Sequence, residues 1–159
     1  MENNTYIQIL LQSQYQKQDI LNKLLDLTKE QEEALKDPSL DSDVFVKIID
    51  KKGKHISRLE KIDSGFAKLY EKVKDELANN KEKYEKEIKE LQDTIKSITD
   101  LSMELQVKES NNKIKLQSYL ETKRREIKNF NKSKSTASSY HKNINRQSDV
   151  PSYFFDRKK

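Results

Sequence analysis

The sequence contains no cysteine and very little glycine or proline. Without Cys among its 159 residues, disulfides, thiol catalysis and thiolate metal sites are excluded. Two glycines and two prolines leave few places for tight turns, so long uninterrupted elements are expected. Hydrophobic residues make up 33% and charged residues 37%, against about 45–50% and about 25% in typical globular domains. So little apolar material suits helices that each bury one stripe rather than a compact sandwich or a doubly wound sheet.

Long apolar segments are also missing. No run approaches the roughly 18 apolar residues of a membrane helix. The N-terminal stretch MENNTYIQILLQSQ lacks the basic region and the following apolar region of a secretory signal. We therefore expect a cytosolic protein without membrane insertion.

The residues that usually carry catalysis or bind metals are sparse. The chain has two histidines, His55 and His141, and His55 follows Lys51, Lys52 and Lys54, which predicts a solvated surface histidine. Acidic residues lie beside lysines at solvent-facing helix spacing, a pattern typical of solubilising charge. There is no glycine-rich phosphate loop and no nucleophile motif. The sequence thus predicts no enzyme, no metal, no cofactor and no small-molecule substrate.

Hydrophobic spacing predicts three long helices. The first covers residues 3 to about 36 and ends before Pro38, because the residue preceding proline is disfavoured in a helix. The second begins near 42, with Asp41 or Ser42 as its N-cap. A break is expected near 63–65, around Gly65, although one continuous helix is the alternative. The last helix, from about 80 to 127, has the clearest heptad seam, formed by Tyr84, Ile88, Leu91, Ile95, Ile98, Ser102 and Leu105.

These elements predict an all-α fold, an elongated antiparallel helical bundle. The short connection at 37–41 makes the first two helices antiparallel, and the last helix then covers both. We expect a bundle domain over 1–130 and a flexible tail over 131–159, disordered by composition. Residues 128–159 hold eight basic and two acidic side chains, so the tail is basic.

The basic tail raises the possibility of nucleic-acid binding. Lysines and arginines bind phosphate without sequence preference. However, Tyr153, Phe154 and Phe155 cluster at one end, whereas a base-stacking platform alternates aromatic and basic residues. The tail also has no amphipathic period that would suit a membrane surface. A nucleic-acid accessory protein therefore remains only a less favoured alternative.

Binding to another protein is better supported, because the heptad seam fades towards the end of the last helix. Apolar residues there are expected to lack a strong partner within the bundle: Leu105, Val107, Ile114, Leu116, Tyr119 and Leu120. They pack on the first two helices or in a homodimer, or they form an exposed groove for a helix of another protein. Packing in a homodimer would suit a self-associating coiled-coil scaffold.

Several segments resemble one family in the same order along the chain. They are LNKLLDLTKEQEEAL, IIDKKGKHISRLEKIDSGFAKLYEKVKDEL, KEIKELQDTIKSITDLS and the asparagine-bearing ESNNKIKL. Over nearly its whole length the chain resembles the FlgN-type (FlgN/FliT-like) flagellar type III export chaperones. The resemblance implies a small cytosolic helical chaperone that works without ATP. Such chaperones hold the hook-filament junction proteins FlgK and FlgL and deliver them to the export gate protein FlhA.

The resemblance also implies two sets of binding residues. Client binding falls at about 105–130, with Leu105, Leu116, Tyr119 and Leu120 as apolar contacts and Asn112 as a polar one. The resemblance assigns docking on the export gate to a tyrosine of the tail.

The docking tyrosine has two candidates, Tyr140 in SSYHKNIN and Tyr153. Tyr153 is a rival because the spacer after the last helix is longer than in enteric members, and no glycine follows Tyr140. Phe154 and Phe155 would be rigid anchors beside Tyr153. Alternatively, these rings fold back onto the bundle.

Overall fold

The computed structural model describes residues 2–134, and these residues form three helices without a strand. The helices are α1 (Glu2–Leu35), α2 (Ser42–Asn79) and α3 (Glu85–Lys134). The predicted all-α fold is confirmed. Helix α3 continues four residues past the predicted domain boundary at 130. The rest of the predicted tail, residues 135–159, lies outside the described residues.

The connection between α1 and α2 follows the local rules expected around Pro38. The amides of Lys36 and Asp37 close the last turn of α1 on the carbonyls of Glu33 and Ala34 (3.2 and 3.3 Å). Helix α2 begins at an N-cap, where Asp41 Oδ1 accepts a hydrogen bond from the Asp43 amide at 2.9 Å. The cap satisfies one of the unpaired N–H groups of the first turn, so the prediction of Asp41 as a cap is confirmed.

The predicted break near 63–65 is wrong, because α2 is continuous through Gly65. Ile62, Phe66 and Leu69, on both sides of this glycine, all pack against apolar clusters of the core. A glycine costs a helix interior only about 1 kcal/mol relative to alanine. Full burial of such a side chain stabilises by about 1.5–3 kcal/mol, and the partial burial of these three side chains together outweighs the cost of the glycine.

The core consists of three apolar clusters along the bundle. The upper cluster is built from the start of α1, the end of α2, the turn before α3 and the start of α3: Ile7, Leu10, Leu11, Val73, Leu77, Tyr84 and Leu91. The middle cluster holds Ile20, Leu21, Leu24 and Ile98. The lower cluster holds Phe45, Ile49 and Leu116, with half-buried Leu35, Leu40 and Leu120 packed against it. This order confirms an antiparallel bundle in which α2 runs opposite to both α1 and α3.

Helix α3 is much longer than the helices it packs on. Leu35, the last residue of α1, lies at the lower cluster together with Leu120 of α3. Residues 121–134, roughly 20 Å of helix, therefore follow the level at which α1 ends. The apolar side of α3 continues there, with Ile127 half-buried and Phe130 41% exposed.

Candidate partner-binding site on the last helix

The five residues predicted to bind a client lie on the side of α3 that packs against α1 and α2. Leu116 and Asn112 are buried, each 3% exposed, whereas Leu105, Tyr119 and Leu120 are half-buried. Leu105 packs on the middle cluster and Leu120 on the lower cluster. Leu116 is covered by Phe45 and Ile49 of α2. In this structure, Tyr119 and Leu120 are thus the more accessible members of the lower part of the set.

Asn112 belongs to a buried group of polar side chains from all three helices, which we call the polar layer. Its members are Thr28 and Gln31 of α1, Lys52 of α2, and Glu109 and Asn112 of α3. The layer lies between the middle and lower clusters, because Thr28 follows Leu24 by one turn and Lys52 follows Ile49 by three residues. It therefore interrupts an otherwise apolar core.

Lys52 is the centre of the polar layer. It is 3% exposed, and its Nζ donates hydrogen bonds to Gln31 Oε1 at 2.6 Å and to Glu109 Oε1. Thr28 Oγ1 lies 2.9 Å from the same Glu109 oxygen. Asn112 Nδ2 donates to the backbone oxygen of Thr28 at 2.9 Å. The layer thus pairs the buried ammonium with a carboxylate, as a buried charge requires.

From the sequence, Lys52 was counted only among the lysines that precede a surface histidine and was not recognised as buried. The signal was its position, since Lys52 lies three residues after Ile49 and four after Ile48, on the same side of the helix. His55 is less exposed than the prediction of a solvated surface histidine implies. His55 is half-buried, and its Nδ1 is buried without a hydrogen-bond partner among the described residues. Burial, followed by the nearby positive charges of Lys23 and Arg58, lowers the pKa of His55.

A shallow groove lies where α3 passes the α1–α2 connection. Tyr119 lies in its wall, and Lys123 Nζ is 5.6 Å from the centre of the Tyr119 ring. Lys115 Nζ lies 3.4 Å from Glu32 Oε1 of α1 and ties α3 to α1 beside the groove. The lining residues are Leu35, Pro38, Lys115, Ser118, Tyr119, Thr122, Lys123 and Glu126. The groove combines an apolar floor with a charged rim.

A second apolar surface lies on the opposite side of α3. Met103, Val107 and Ile114 are 61%, 61% and 64% exposed. At 3.6 residues per turn they fall within about 40° of one another, facing away from Asn112 and Leu116. We call these three residues the outer stripe. Val107 and Ile114 were recognised in the sequence as lacking a strong partner, whereas Met103 was not, because it falls outside the heptad seam.

A family model described as FlgN protein matches residues 1–148, which include all three helices and the beginning of the tail. The chain belongs to the FlgN family. The resemblance inferred from the sequence segments is thereby confirmed. No curated protein and no solved structure gives a significant match to the chain.

Membership in the FlgN family supports a general role as a flagellar export chaperone that binds hook-associated proteins. The family is one of chaperones rather than of enzymes. Within residues 2–134, no group of His, Cys, Asp and Glu side chains is arranged to hold a metal ion. None of the helices that the structure describes has both the length and the apolar character to span a membrane.

The tail residues of this FlgN chain that were predicted to dock on the export gate are not covered by the structure. Tyr140, Tyr153, Phe154 and Phe155 all lie outside the described residues. The FlgN match ends at 148, so it includes Tyr140 but not the three aromatic residues at the end. Both candidate docking tyrosines therefore stay predictions.

Proposed function

We propose that the chain is a cytosolic chaperone for hook-filament junction proteins of the FlgK and FlgL kind. It binds them through α3, prevents their premature assembly, and delivers them to the flagellar export gate, an FlhA-like protein. The tail carries the docking residues, Tyr140 or the Tyr153–Phe155 cluster. Membership in the FlgN family supports the general role.

The observation that carries the proposed client site is the continuation of the apolar side of α3 beyond α1. Tyr119 and Leu120 are half-buried at the level where α1 ends, and Ile127 follows two turns later on the same side. The groove beside Tyr119 has walls from α3 and from the α1–α2 connection. An amphipathic helix of a client inserts its apolar face into a groove of this kind.

The small apolar area of this site is consistent with reversible binding of the client. The accessible apolar groups are few, and the ordering of a disordered client segment opposes binding by about 2–5 kcal/mol. A client held by such a surface dissociates without nucleotide hydrolysis.

The proposal is tested by comparing two double variants of α3. Tyr119→Asp with Thr122→Asp places charges in the groove, whereas Val107→Asp with Ile114→Asp places them on the outer stripe, where the side chains are solvent-exposed. We expect the first variant to weaken binding of a FlgK-like client at least tenfold and the second to leave it unchanged, as measured by calorimetry. Circular dichroism checks that both remain helical. If only the second variant loses binding, the client binds the outer stripe and not the groove.

The outer stripe supports a second candidate function, self-association as a coiled-coil scaffold. Exposed apolar groups in a row mark interaction surfaces. However, the stripe spans only about 16 Å of helix and contains three large side chains, and a stable interface buries about 800 Å² on each partner. Sedimentation equilibrium tests this alternative. A stable dimer that the Val107→Asp and Ile114→Asp changes convert to a monomer would support the scaffold.

A further inference from the structure

The apolar side of α3 next to the proposed client groove is already occupied by another part of the same chain. Phe45 and Ile49, one turn apart on α2, are 6% and 8% exposed and pack against Leu116. Leu120, one turn further along the same side of α3, is half-buried against this cluster. The first two turns of α2 thus cover the surface that continues directly into the groove.

The polar layer is the upper limit of the segment of α2 that covers the lower cluster. Below the layer, α2 contacts α3 through the lower cluster, whereas Lys52 in the layer reaches both Gln31 and Glu109. Polar contacts also join α1 to α3 at this level, independently of α2. Asn112 Nδ2 donates to the Thr28 carbonyl at 2.9 Å. The start of α2 can therefore separate from α3 while the pairing of α1 with α3 is retained.

The packing of the start of α2 against α1 is incomplete. Val44 is 48% exposed, although it lies next to Phe45 in the first turns of α2. A groove runs here between the two helices, lined by Asp26, Lys29, Glu30, Glu33, Ala34, Val44 and Ile48. Segments with few buried contacts open at a lower free energy than the rest of a fold. The lower cluster joins three buried residues, against seven in the upper one, so the apolar contact that holds the start of α2 on α3 is the smaller of the two, although Phe45, Ile48 and Ile49 are themselves buried.

Charge distinguishes the two surfaces that meet in the lower cluster. The stretch of α3 from 115 to 128 contains five basic and two acidic residues. The start of α2 instead contains Asp41, Asp43 and Asp50 around the apolar pair, with one lysine, Lys47. An acidic amphipathic helix is therefore electrostatically complementary to this part of α3.

We infer that the first two turns of α2 occupy part of the client site, and that the client displaces them with a helix of the same pattern. The client helix has bulky apolar side chains at i and i+4, as Phe45 and Ile49 have, and acidic residues around them. The inference rests on the function proposed above. It assigns Leu116, buried in the free protein, to the client site of the complex, and it makes α2 a competitor of the client.

A matched pair of substitutions in α2 tests the competition. Ile49→Ala weakens the cover, whereas Leu77→Ala removes a side chain of the upper cluster that is also 8% exposed. A binding-competent state that becomes more populated raises the apparent affinity. We expect Ile49→Ala to bind a FlgK-like client roughly tenfold more tightly and Leu77→Ala to bind it no more tightly than wild type. A purely structural role of Ile49 would leave client binding equal or weaker, which would overturn the inference.

A crosslink provides an independent test, since the chain has no cysteine of its own. Ile49→Cys with Leu116→Cys joins α2 to α3 in the lower cluster, and Val73→Cys with Leu91→Cys joins them in the upper cluster. Because all four positions are buried, each pair is linked with a short bis-maleimide in urea and the protein is then refolded; mass spectrometry confirms the link and circular dichroism the helical fold. We expect client binding to be lost in the lower-crosslinked protein and retained in the upper-crosslinked one. Equal binding by both crosslinked proteins would refute the displacement of α2. If the wild-type protein does not bind the client, the proposed function itself fails.

Discussion

Replacing Lys52 by methionine should destabilise the protein far more than loss of a surface lysine does. Lys52 donates to Gln31 and Glu109 inside the bundle. Methionine fills much of the same volume without the charge. The substitution leaves the Glu109 carboxylate without its ammonium partner and the buried Gln31 oxygen without this donor. Thr28 Oγ1 keeps its hydrogen bond to the Leu24 carbonyl at 2.7 Å.

The magnitude follows from the burial of the two charges. Removal of one partner from a buried ion pair costs about 3–5 kcal/mol. Glu109 is 18% exposed, whereas Lys52 is 3% exposed, so water can partly solvate the remaining carboxylate. We therefore expect a loss of about 2–3 kcal/mol for Lys52→Met. In the double variant Lys52→Met with Glu109→Leu, both charges are gone, and stability should return to within about 1 kcal/mol of wild type or exceed it.

Urea unfolding followed by far-ultraviolet circular dichroism measures these differences. The matched control is Lys36→Met, because the Lys36–Glu33 pair has side chains 58% and 73% exposed and such surface pairs contribute about 0–1 kcal/mol. If Lys52→Met loses no more stability than Lys36→Met, the polar layer is accessible to water and the reasoning fails. A double variant as unstable as Lys52→Met would show that the two charges are not coupled.

Three further predictions concern α2 and are checked by urea or thermal unfolding. Gly65→Ala should stabilise the protein by about 1 kcal/mol, because a Cβ at this position meets no heavy atom within 4 Å; a loss of stability would show that the glycine is needed. Asp41→Ala should cost about 1 kcal/mol, because the hydrogen bond to the Asp43 amide is lost; no loss would mean that the cap is replaced. The pKa of His55 is lowered from its ordinary value of 6.5, so the unfolded chain binds the proton more tightly and stability should fall as the pH drops below about 6.5. His55→Gln should flatten this dependence, and an unchanged pH profile would contradict the assignment.

Local features of the sequence were sufficient to predict the helices and their order. Pro38 and Asp41 mark the boundary between α1 and α2, and the regular apolar positions around Leu91 and Ile98 identify α3. The continuity of α2 at Gly65 could not be obtained locally. It depends on the burial of Ile62 and Phe66 against residues distant in the sequence, and this burial exceeds the helix-breaking tendency of the glycine.

The candidate site was predictable only in part. The family resemblance predicted a site on the lower part of α3, but the burial of Leu116 depends on Phe45 and Ile49 of α2. For that reason Leu116→Asp would place a charge in the lower cluster and disturb the fold, so it cannot test client contact alone. The partner of Lys52 is Glu109, 57 residues away. The spacing of Lys52 from Ile48 and Ile49 places it on their side of α2, but no local feature of the run KKGKH indicates a partner as distant as Glu109.

The polar layer has a consequence for the order of folding during synthesis. Helices α1 and α2 emerge first from the ribosome, and their contacts are local enough to form an early hairpin. Until α3 is made, Lys52 can donate to Gln31 of α1, but it has no carboxylate from Glu109 and its ammonium remains hydrated. The arrival of Glu109 and Asn112 supplies the missing partners. The polar layer is therefore complete only once α3 has been synthesised past Asn112, and until then the start of α2 has α1 alone to pack on.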